Sequence, residues 1–374
     1  MLGILLCEVG RLNSETWGSR VVPTTRKPAV TLISRHMANH ASVSGYDRLG
    51  HYLEARIIHP VDQWTFARRT VTRLLRPLVH RSGCLWYHRD ALFSELCAGV
   101  HWLKGSNRLF HFLYGENAYR YLGHLKSVAR KNLLVCTFHT PEEKFRAVVR
   151  DVRHLRRIDA AIVVSTSQLD FFGNLLGRDR VHYVPHGIDV DYFRPLEVSE
   201  QRDEEVFRCL FVGTHLRDFE SLAACWRIVN QEAKKMQLSV VTFPEYHGYF
   251  EGIPNVELYA GIPDQKLLAL YRGAHAFVFP LLDSTANNSL LEAMACGLPV
   301  VCSDVPGVRD YADESCTLFT ARGDAEAMAH AVLTLNKNRR LCTTMGLAAR
   351  ERVMAFGWRN VASMVMELYQ GLAG

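Results

Sequence analysis

The sequence predicts an α/β protein made of two consecutive domains, each an open sheet with crossover helices. Three observations predict this. At 374 residues the chain is longer than one hydrophobic core usually grows. Short apolar runs of strand length alternate with stretches of helical periodicity along most of it. An acidic stretch from Glu197 to Glu205 interrupts the alternation and marks a domain boundary.

The clearest single unit is residues 275–312. The apolar run Ala276 to Leu282 reads as a buried parallel strand, followed by a polar loop from Asp283 to Asn288. In residues 289–297, SLLEAMACG, the positions Leu290, Leu291, Met294 and Ala295 repeat at helical spacing, and Gly297 stands where a left-handed C-cap belongs. Pro299 opens a second apolar strand, Val300 to Cys302, and Pro306-Gly307 ends the unit in a turn. Strand, loop, helix and strand make a βαβ crossover whose loop lies at the carboxyl end of a strand, where open α/β sheets bind ligands.

The start of that helix carries Asn287, Asn288 and Ser289, all capping residues. Its free N–H groups and dipole suit an anion, phosphate above all. Glu292, one turn in, is placed to accept hydrogen bonds from sugar or ribose hydroxyls. The plainer alternative leaves the Asn pair as a cap and Glu292 on a solvated face.

Composition excludes several classes. A hydrophobic content of 48% with 22% charged residues is that of a folded globular protein. Ten cysteines without a CxxC pair or metal-ligand spacing predict reduced thiols and a cytoplasmic protein. Residues 1–10 lack a basic n-region and carry Glu8, so no signal peptide is expected. No run reaches the ~20 apolar residues of a membrane-spanning helix. The net charge of +6 is mild, and its basic residues are dispersed without a nucleic-acid-binding signature.

Taken in order, residues 1–28 are a poorly determined leader. Ala29 to Ile33 is the first strand; a small-residue loop follows, with Ser44-Gly45 before a helix expected from about Tyr46. Gly45 serves the turn alone or a site beside it. Residues 56–81 interleave Trp64, Phe66, Val71, Leu74, Leu75, Leu78 and Val79 with Arg68, Arg69, Arg73, Arg76 and Arg81. They form either an ordinary amphipathic helix, cut short by Pro77, or an element that lies on an anionic membrane surface. Leu109 to Leu113 and Asn132 to Phe138 are strands, and the second delivers His139 to a carboxyl end just before Pro141. Among 17 histidines a lone one is usually structural, yet His139 is placed to face a site.

Ile158 to Ser165 is a further strand, with Ser165 to Gln168 capping the next helix. After the boundary, Phe207 to Val212 is a strand leading through Gly213 and Arg217 into a helix with Phe219, Leu222, Ala223 and Trp226. The Arg217 guanidinium suits bidentate contact with phosphate; alternatively it pairs with Asp218 or Glu220. Strands follow at 238–243 and 256–261, and a helix after Pro263. A strand from Thr317, a helix over 324–333 and a last helix over 356–369 complete the chain.

Two segments carry a resemblance. Residues 181–195, VHYVPHGIDVDYFRP, are similar to the PxGIDxxxFxP segment that ends the first domain of GT-B glycosyltransferases. Residues 290–301, LLEAMACGLPVV, resemble the donor-binding segment of the retaining family-4 enzymes of that class, the glycosyl transferases group 1. The resemblance extends over roughly residues 30 to 370 and is specific in 181–195 and 276–312. It implies the GT-B fold: two Rossmann-like domains facing each other across a cleft, with a C-terminal helix crossing back. The implied boundaries are 29–195 for the acceptor-side domain, 196–206 for the linker, 207–355 for the donor-side domain and 356–374 for the returning helix.

The resemblance also implies roles. Gly213, Arg217 and Asn287 to Ser289 would hold the donor diphosphate, with Asp283, Ser284 and Glu292 lining the donor site. Ser44 and Gly45 would lie over the cleft, and His139 near the transferring sugar as the catalytic candidate. The implied reaction moves a sugar from a nucleotide-diphosphate sugar to a hydroxyl of a glycan, a lipid-linked acceptor or a small molecule. Retention of configuration and no cofactor or metal are expected. A location in the cytoplasm follows, at the inner face of a membrane if residues 64–81 touch it.

Four departures stand against the pattern. A Gly-Gly pair is absent at Ser44-Gly45, and Thr214 replaces an arginine. Ser284, beside Asp283, replaces a glutamate eight positions before Glu292, and Ala286-Asn287 replaces Phe-Gly. They keep open a catalytically inactive nucleotide-sugar-binding module. A sugar-nucleotide 2-epimerase shares the architecture but lacks the wording of the two segments.

Overall fold

The computed structural model describes residues 28–35, 43–59, 70, 73–196 and 205–374. Residues 1–27 of the expected leader, residues 64–69 and 71–72 of the basic stretch at 64–81, and most of the linker at 196–206 lie outside the described residues. The chain divides into two compact units. Unit 1 comprises Met1–Met37, Tyr46–Val184 and Val361–Gly374; unit 2 comprises Ala38–Gly45 and Pro185–Asn360.

Unit 1 is built on β1 (Ala29–Ile33), β2 (Arg56–Ile58), β3 (Arg108–Phe112), β4 (Leu133–Phe138), β5 (Ala160–Val163) and β6 (Val181–Tyr183). They form one sheet in the order β2-β1-β3-β4-β5-β6, every pair parallel. Its helices are α1 (Arg76–His80), α2 (Arg89–Leu103), α3 (Gly115–Ala118), α4 (Glu142–Val148) and α5 (Leu169–Leu176). The inner strands β1, β3, β4 and β5 are buried over nearly their whole length, as expected of a parallel sheet covered on both faces, which explains why they read as unbroken apolar runs, while the edge strands β2 and β6 are partly exposed. Ahead of α5, Ser165 and Gln168 close a full capping box, as expected from the sequence.

Unit 2 is built on β7 (Phe207–Val212), β8 (Met236–Val241), β9 (Val256–Tyr259), β10 (Ala276–Phe279), β11 (Val300–Ser303) and β12 (Thr317–Thr320). Their order is β12-β11-β10-β7-β8-β9, again all parallel. The order reverses between β7 and β10, so the loops after these two strands flank the switch point of a doubly wound sheet. The helices are α6 (Phe219–Glu232), α7 (Asp264–Gly273), α8 (Asn288–Ala295), α9 (Pro306–Arg309), α10 (Ala325–Lys337) and α11 (Arg339–Val353). A last helix, α12 (Trp358–Ala373), leaves unit 2, and its residues from Val361 onward belong to unit 1. There Tyr369 is fully buried, its hydroxyl 2.6 Å from Nδ1 of His111.

Several elements differ from the sequence expectation, each for a local reason. β10 stops at Phe279 because Pro280 has no N–H to continue the ladder. Pro306-Gly307 opens α9 instead of forming a turn, since proline is suited to a first helical position. The helix expected from Tyr46 is a 3-10 turn, Tyr46–His51. The stretch 56–81 opens with the short edge strand β2, and within α1 Pro77 stands in the first turn. Gly297 does take the left-handed conformation, φ 73°. Its N–H bonds Met294 O, and the Leu298 N–H bonds Ala293 O, closing a Schellman motif at the end of α8.

Candidate donor site

The site grows from the two loops that flank the switch point of unit 2. After β7 the chain passes through Gly213 at φ 118° and Leu216 at φ 56°. Both turns fold the short segment 213–217 back so that Arg217 pairs in a bridge with Leu281, just beyond β10. Asp218 then caps α6 by accepting from the Ser221 N–H (2.9 Å) and hydroxyl (2.6 Å). Asp218 is thus committed to its own helix, and the surface pairing considered for Arg217 does not form.

Arg217 turns inward and is only 9% exposed. Its Nη2 donates to Asn287 Oδ1 (3.0 Å) and Ser289 Oγ (3.0 Å). Nη1 donates to His215 O (2.7 Å), Nε points to Val212 O (3.4 Å), and the guanidinium lies 4.4 Å over the Phe279 ring. These oxygens are all uncharged, and among the described residues no carboxylate forms an ion pair with it. Burial pulls its pKa down to about 10, so it stays protonated at neutral pH. A guanidinium has five N–H groups, and the fifth, on Nη1, remains for a ligand.

Asn287 holds the N-cap position of α8 as the sequence suggests, but its side chain does not cap the backbone. Its Oδ1 is taken by Arg217 and by the Ser289 hydroxyl (2.8 Å). A charge-assisted donor outcompetes a neutral N–H for the same oxygen. The first N–H groups of α8 are therefore left without a side-chain cap, beside a buried cation. That combination selects an anion.

Glu292 is not on a solvated face: it is 3% exposed and occupied at both oxygens. Ser44 Oγ donates to Oε1 (2.5 Å) and Tyr271 Oη to Oε2 (2.8 Å). Burial raises its pKa, while the two hydroxyls act in the opposite direction. Ser44 thus joins unit 2 beside Glu292, and Gly45 follows it at φ 103°, a backbone conformation that favours glycine. Ser284 is buried and donates its hydroxyl to Thr285 O (3.2 Å); Asp283 accepts from the Ser284 N–H (2.7 Å). Asp283 is half-buried, whereas Asn288 is half-buried at the first position of α8.

His139 lies in unit 1, past the end of β4. Its N–H is held by Glu116 Oε1 (3.0 Å), and Nε2 donates to Leu113 O (2.8 Å), which fixes the tautomer with the lone pair on Nδ1. Tyr46 and Tyr114 wall the ring at 4.8 and 4.7 Å. Burial pushes the Glu116 carboxyl up to about 7. Tyr271, Tyr114 and Glu116 were not singled out by sequence reasoning. Each is an ordinary core-like residue in its local pattern, and only the fold brings it to a functional group.

Among the described residues no helix is long and apolar enough to cross a membrane, and none of the nine described cysteines forms a disulfide. Comparison with known proteins adds the family. Residues 206–338 match the glycosyl transferases group 1 model. The chain is 32% identical over 112 residues to O-antigen chain mannosyltransferase B of Escherichia coli, covering 29% of this chain and 28% of that relative's length. In structure it resembles sucrose-phosphate synthase from Thermosynechococcus elongatus, with a TM-score of 0.68 at 19% identity over 92% of this chain and 99% of that one. It also resembles Anabaena HepE in complex with UDP-glucose, with a TM-score of 0.67 at 13% identity over 92% and 99% of the two chains. Identities this low speak for the fold, and the matched sequence segment encloses every donor-side residue from Gly213 to Glu292. Residues 206–338 are thus similar to the glycosyl transferases group 1 family, and the chain has the GT-B fold.

Proposed function

We propose that the protein is a glycosyltransferase that moves a sugar from a nucleotide-diphosphate sugar to a hydroxyl acceptor, with retention of configuration. The observation that carries it is Arg217, a buried guanidinium whose hydrogen bonds among the described residues all go to uncharged oxygens, set against the uncapped N-terminus of α8. A buried cation whose hydrogen-bond partners are all neutral gains from a ligand that supplies negative charge. A diphosphate does so, and negative charge develops on it as the sugar–phosphate bond breaks. Arg217 and the α8 N–H groups are in place before that charge forms, so they stabilise the leaving group without reorganising.

Glu292 then accepts a ribose or sugar hydroxyl, and His139 is the group assigned to the sugar and acceptor. The proposal requires no metal, because Arg217 and the helix N-terminus carry the charge a metal would otherwise offset; chelator should leave turnover intact. Structural neighbours determined with UDP and UDP-glucose support a nucleotide-sugar donor. The acceptor is a glycan, a lipid-linked sugar or a small molecule, and contact with an anionic membrane belongs to the same proposal.

The test is a panel of nucleotide-diphosphate sugars read by thermal shift and by donor hydrolysis. A ligand of the folded state adds about 2.7 kcal/mol at a hundredfold its Kd. One donor should stabilise the wild type and be hydrolysed slowly, with both effects lost in Arg217→Ala. A second outcome has its own support: Ser284 leaves no carboxylate at its position, and its hydroxyl is spent on Thr285 O. Binding without hydrolysis or transfer would establish the inactive binding module instead.

A further inference from the structure

Glu292 is a buried carboxylate hydrogen-bonded among the described residues by two hydroxyls, and these differ in how they are held. Tyr271 comes from α7 and is fully buried, with its ring edge-on to Phe193 at 6.0 Å and tilted against Phe277 at 6.0 Å. Ser44 is 248 positions away in sequence and reaches Glu292 from a short segment that ends in Gly45. One donor is built into the core; the other is a loop residue laid on the carboxylate.

We propose that Tyr271 is a positioning residue that fixes one Glu292 oxygen, and that Ser44 holds the other until a donor hydroxyl displaces it. The inference rests on Glu292 being the acceptor for a ribose or sugar hydroxyl. Exchange of hydroxyl for hydroxyl keeps the buried charge hydrogen-bonded in both the empty and the occupied site. Without Ser44 the empty site would leave an ionised oxygen buried and bare, and without Tyr271 the carboxylate would be free to rotate away.

The groups facing Glu292 set how this appears against pH. Burial is the largest effect and favours the protonated form. Ser44 and Tyr271 favour the ionised form, Asp264 on α7 opposes it, and Arg217 from the loop after β7 assists it. Tyr192 also feels the Glu292 charge, and Cys296 on α8 lies near Tyr271. The Tyr271 hydroxyl is itself held far above its usual range, so it remains a donor throughout. Its removal leaves Glu292 protonated to a higher pH.

The experiment measures binding of uridine, guanosine, adenosine and thymidine diphosphate sugars from pH 5 to 9, in wild type and in Tyr271→Phe, Ser44→Ala and Glu292→Gln. Tyr271→Phe should move the acid limb of the binding profile upward and converge with wild type at alkaline pH. Ser44→Ala, by removing the competing hydroxyl, should tighten binding at pH 8 by roughly threefold to tenfold, within the range of a typical net hydrogen-bond contribution. An unmoved limb in Tyr271→Phe, or unchanged or weaker binding in Ser44→Ala, overturns the inference. If Glu292→Gln binds as wild type, or no probe binds at all, the donor reading of Glu292 itself falls. Melting curves confirm folding; should Tyr271→Phe not fold, the sign of the Ser44→Ala effect decides alone.

Discussion

The Arg217 guanidinium lies directly against Gly213: a Cβ at position 213 would fall 2.5 Å from Nη2 and 2.9 Å from Nε. Gly213 also stands at φ 118°, where any other residue is strained. The glycine after β7 therefore does two things at once, turning the chain and leaving room for the cation. Gly213→Ala should cost about 1–3 kcal/mol of stability. It should weaken nucleotide-sugar binding more than tenfold, because Arg217 must leave the oxygens that aim it. Thermal melts with and without donor separate the two effects, and a variant that binds normally would show that Arg217 is not the anchor.

Replacing Arg217 itself distinguishes charge from geometry. Lysine keeps the charge but cannot span Val212 O, His215 O, Asn287 Oδ1 and Ser289 Oγ together. Arg217→Lys should weaken donor binding about tenfold and Arg217→Ala a hundredfold or more, in line with about 1.5–3 kcal/mol for a hydrogen bond to a charged group. Titration calorimetry with the free nucleotide diphosphate checks both. Equal losses would mean that the planar fork contributes nothing.

The acid sensitivity of unit 1 follows from His111. It is fully buried between Tyr369 Oη on Nδ1 (2.6 Å) and Thr137 Oγ1 on Nε2 (2.7 Å), and burial pulls its pKa down to about 3. The folded pKa lies below the unfolded one, so the unfolded chain binds the extra proton between pH ~6.5 and ~3. Stability is complete above that window and is lost as pH falls through it. His154, also near 3 through burial and the adjacent Arg120, adds in the same direction. Melting temperature should fall between pH 7 and pH 4, with a shallower slope in His111→Gln. An unchanged slope would show that His111 is accessible to protons in the folded state.

Much of unit 2 was legible from residues alone. Strands buried on both faces leave continuous apolar runs, and Gly297 marks the end of α8 by its position. The helices α2 and α11 were not anticipated. In α2 the buried set Ala91, Leu92, Phe93, Cys97, Ala98, Gly99 and Trp102 covers more than one face, so no clean stripe exists to be seen. The site divides similarly. Glu292 lies within a segment whose wording points to it and Arg217 in a strand–glycine loop where the resemblance implies a basic residue, whereas Tyr271 resembles any core aromatic and Ser44 meets Glu292 only through the fold. Asn287 shows the limit of local rules: its cap position was right, and its side chain answers to Arg217 instead of the helix.

The donor loop is also held from outside the site, by Gly307. A Cβ there would lie 2.2 Å from Ser284 O and 2.6 Å from Thr285 Cα, backbone atoms that cannot yield without moving the loop. Gly307→Ala should therefore shift the loop that leads into Asn287 and α8, although the nearest atoms at position 307 are backbone of Ser284 and Thr285 and none belongs to Arg217 or Glu292. Gly346 supplies the control. Its Cβ would meet Gly297 O at 2.4 Å, an equally tight backbone contact at the far end of α8. Both alanines should lower the melting temperature, but only Gly307→Ala should weaken donor binding, by about tenfold or more for a displacement near 1 Å. Comparable losses of affinity in the two variants would mean that the effect travels through general destabilisation, and the loop after β10 would lose its assigned part in aiming the α8 N-terminus.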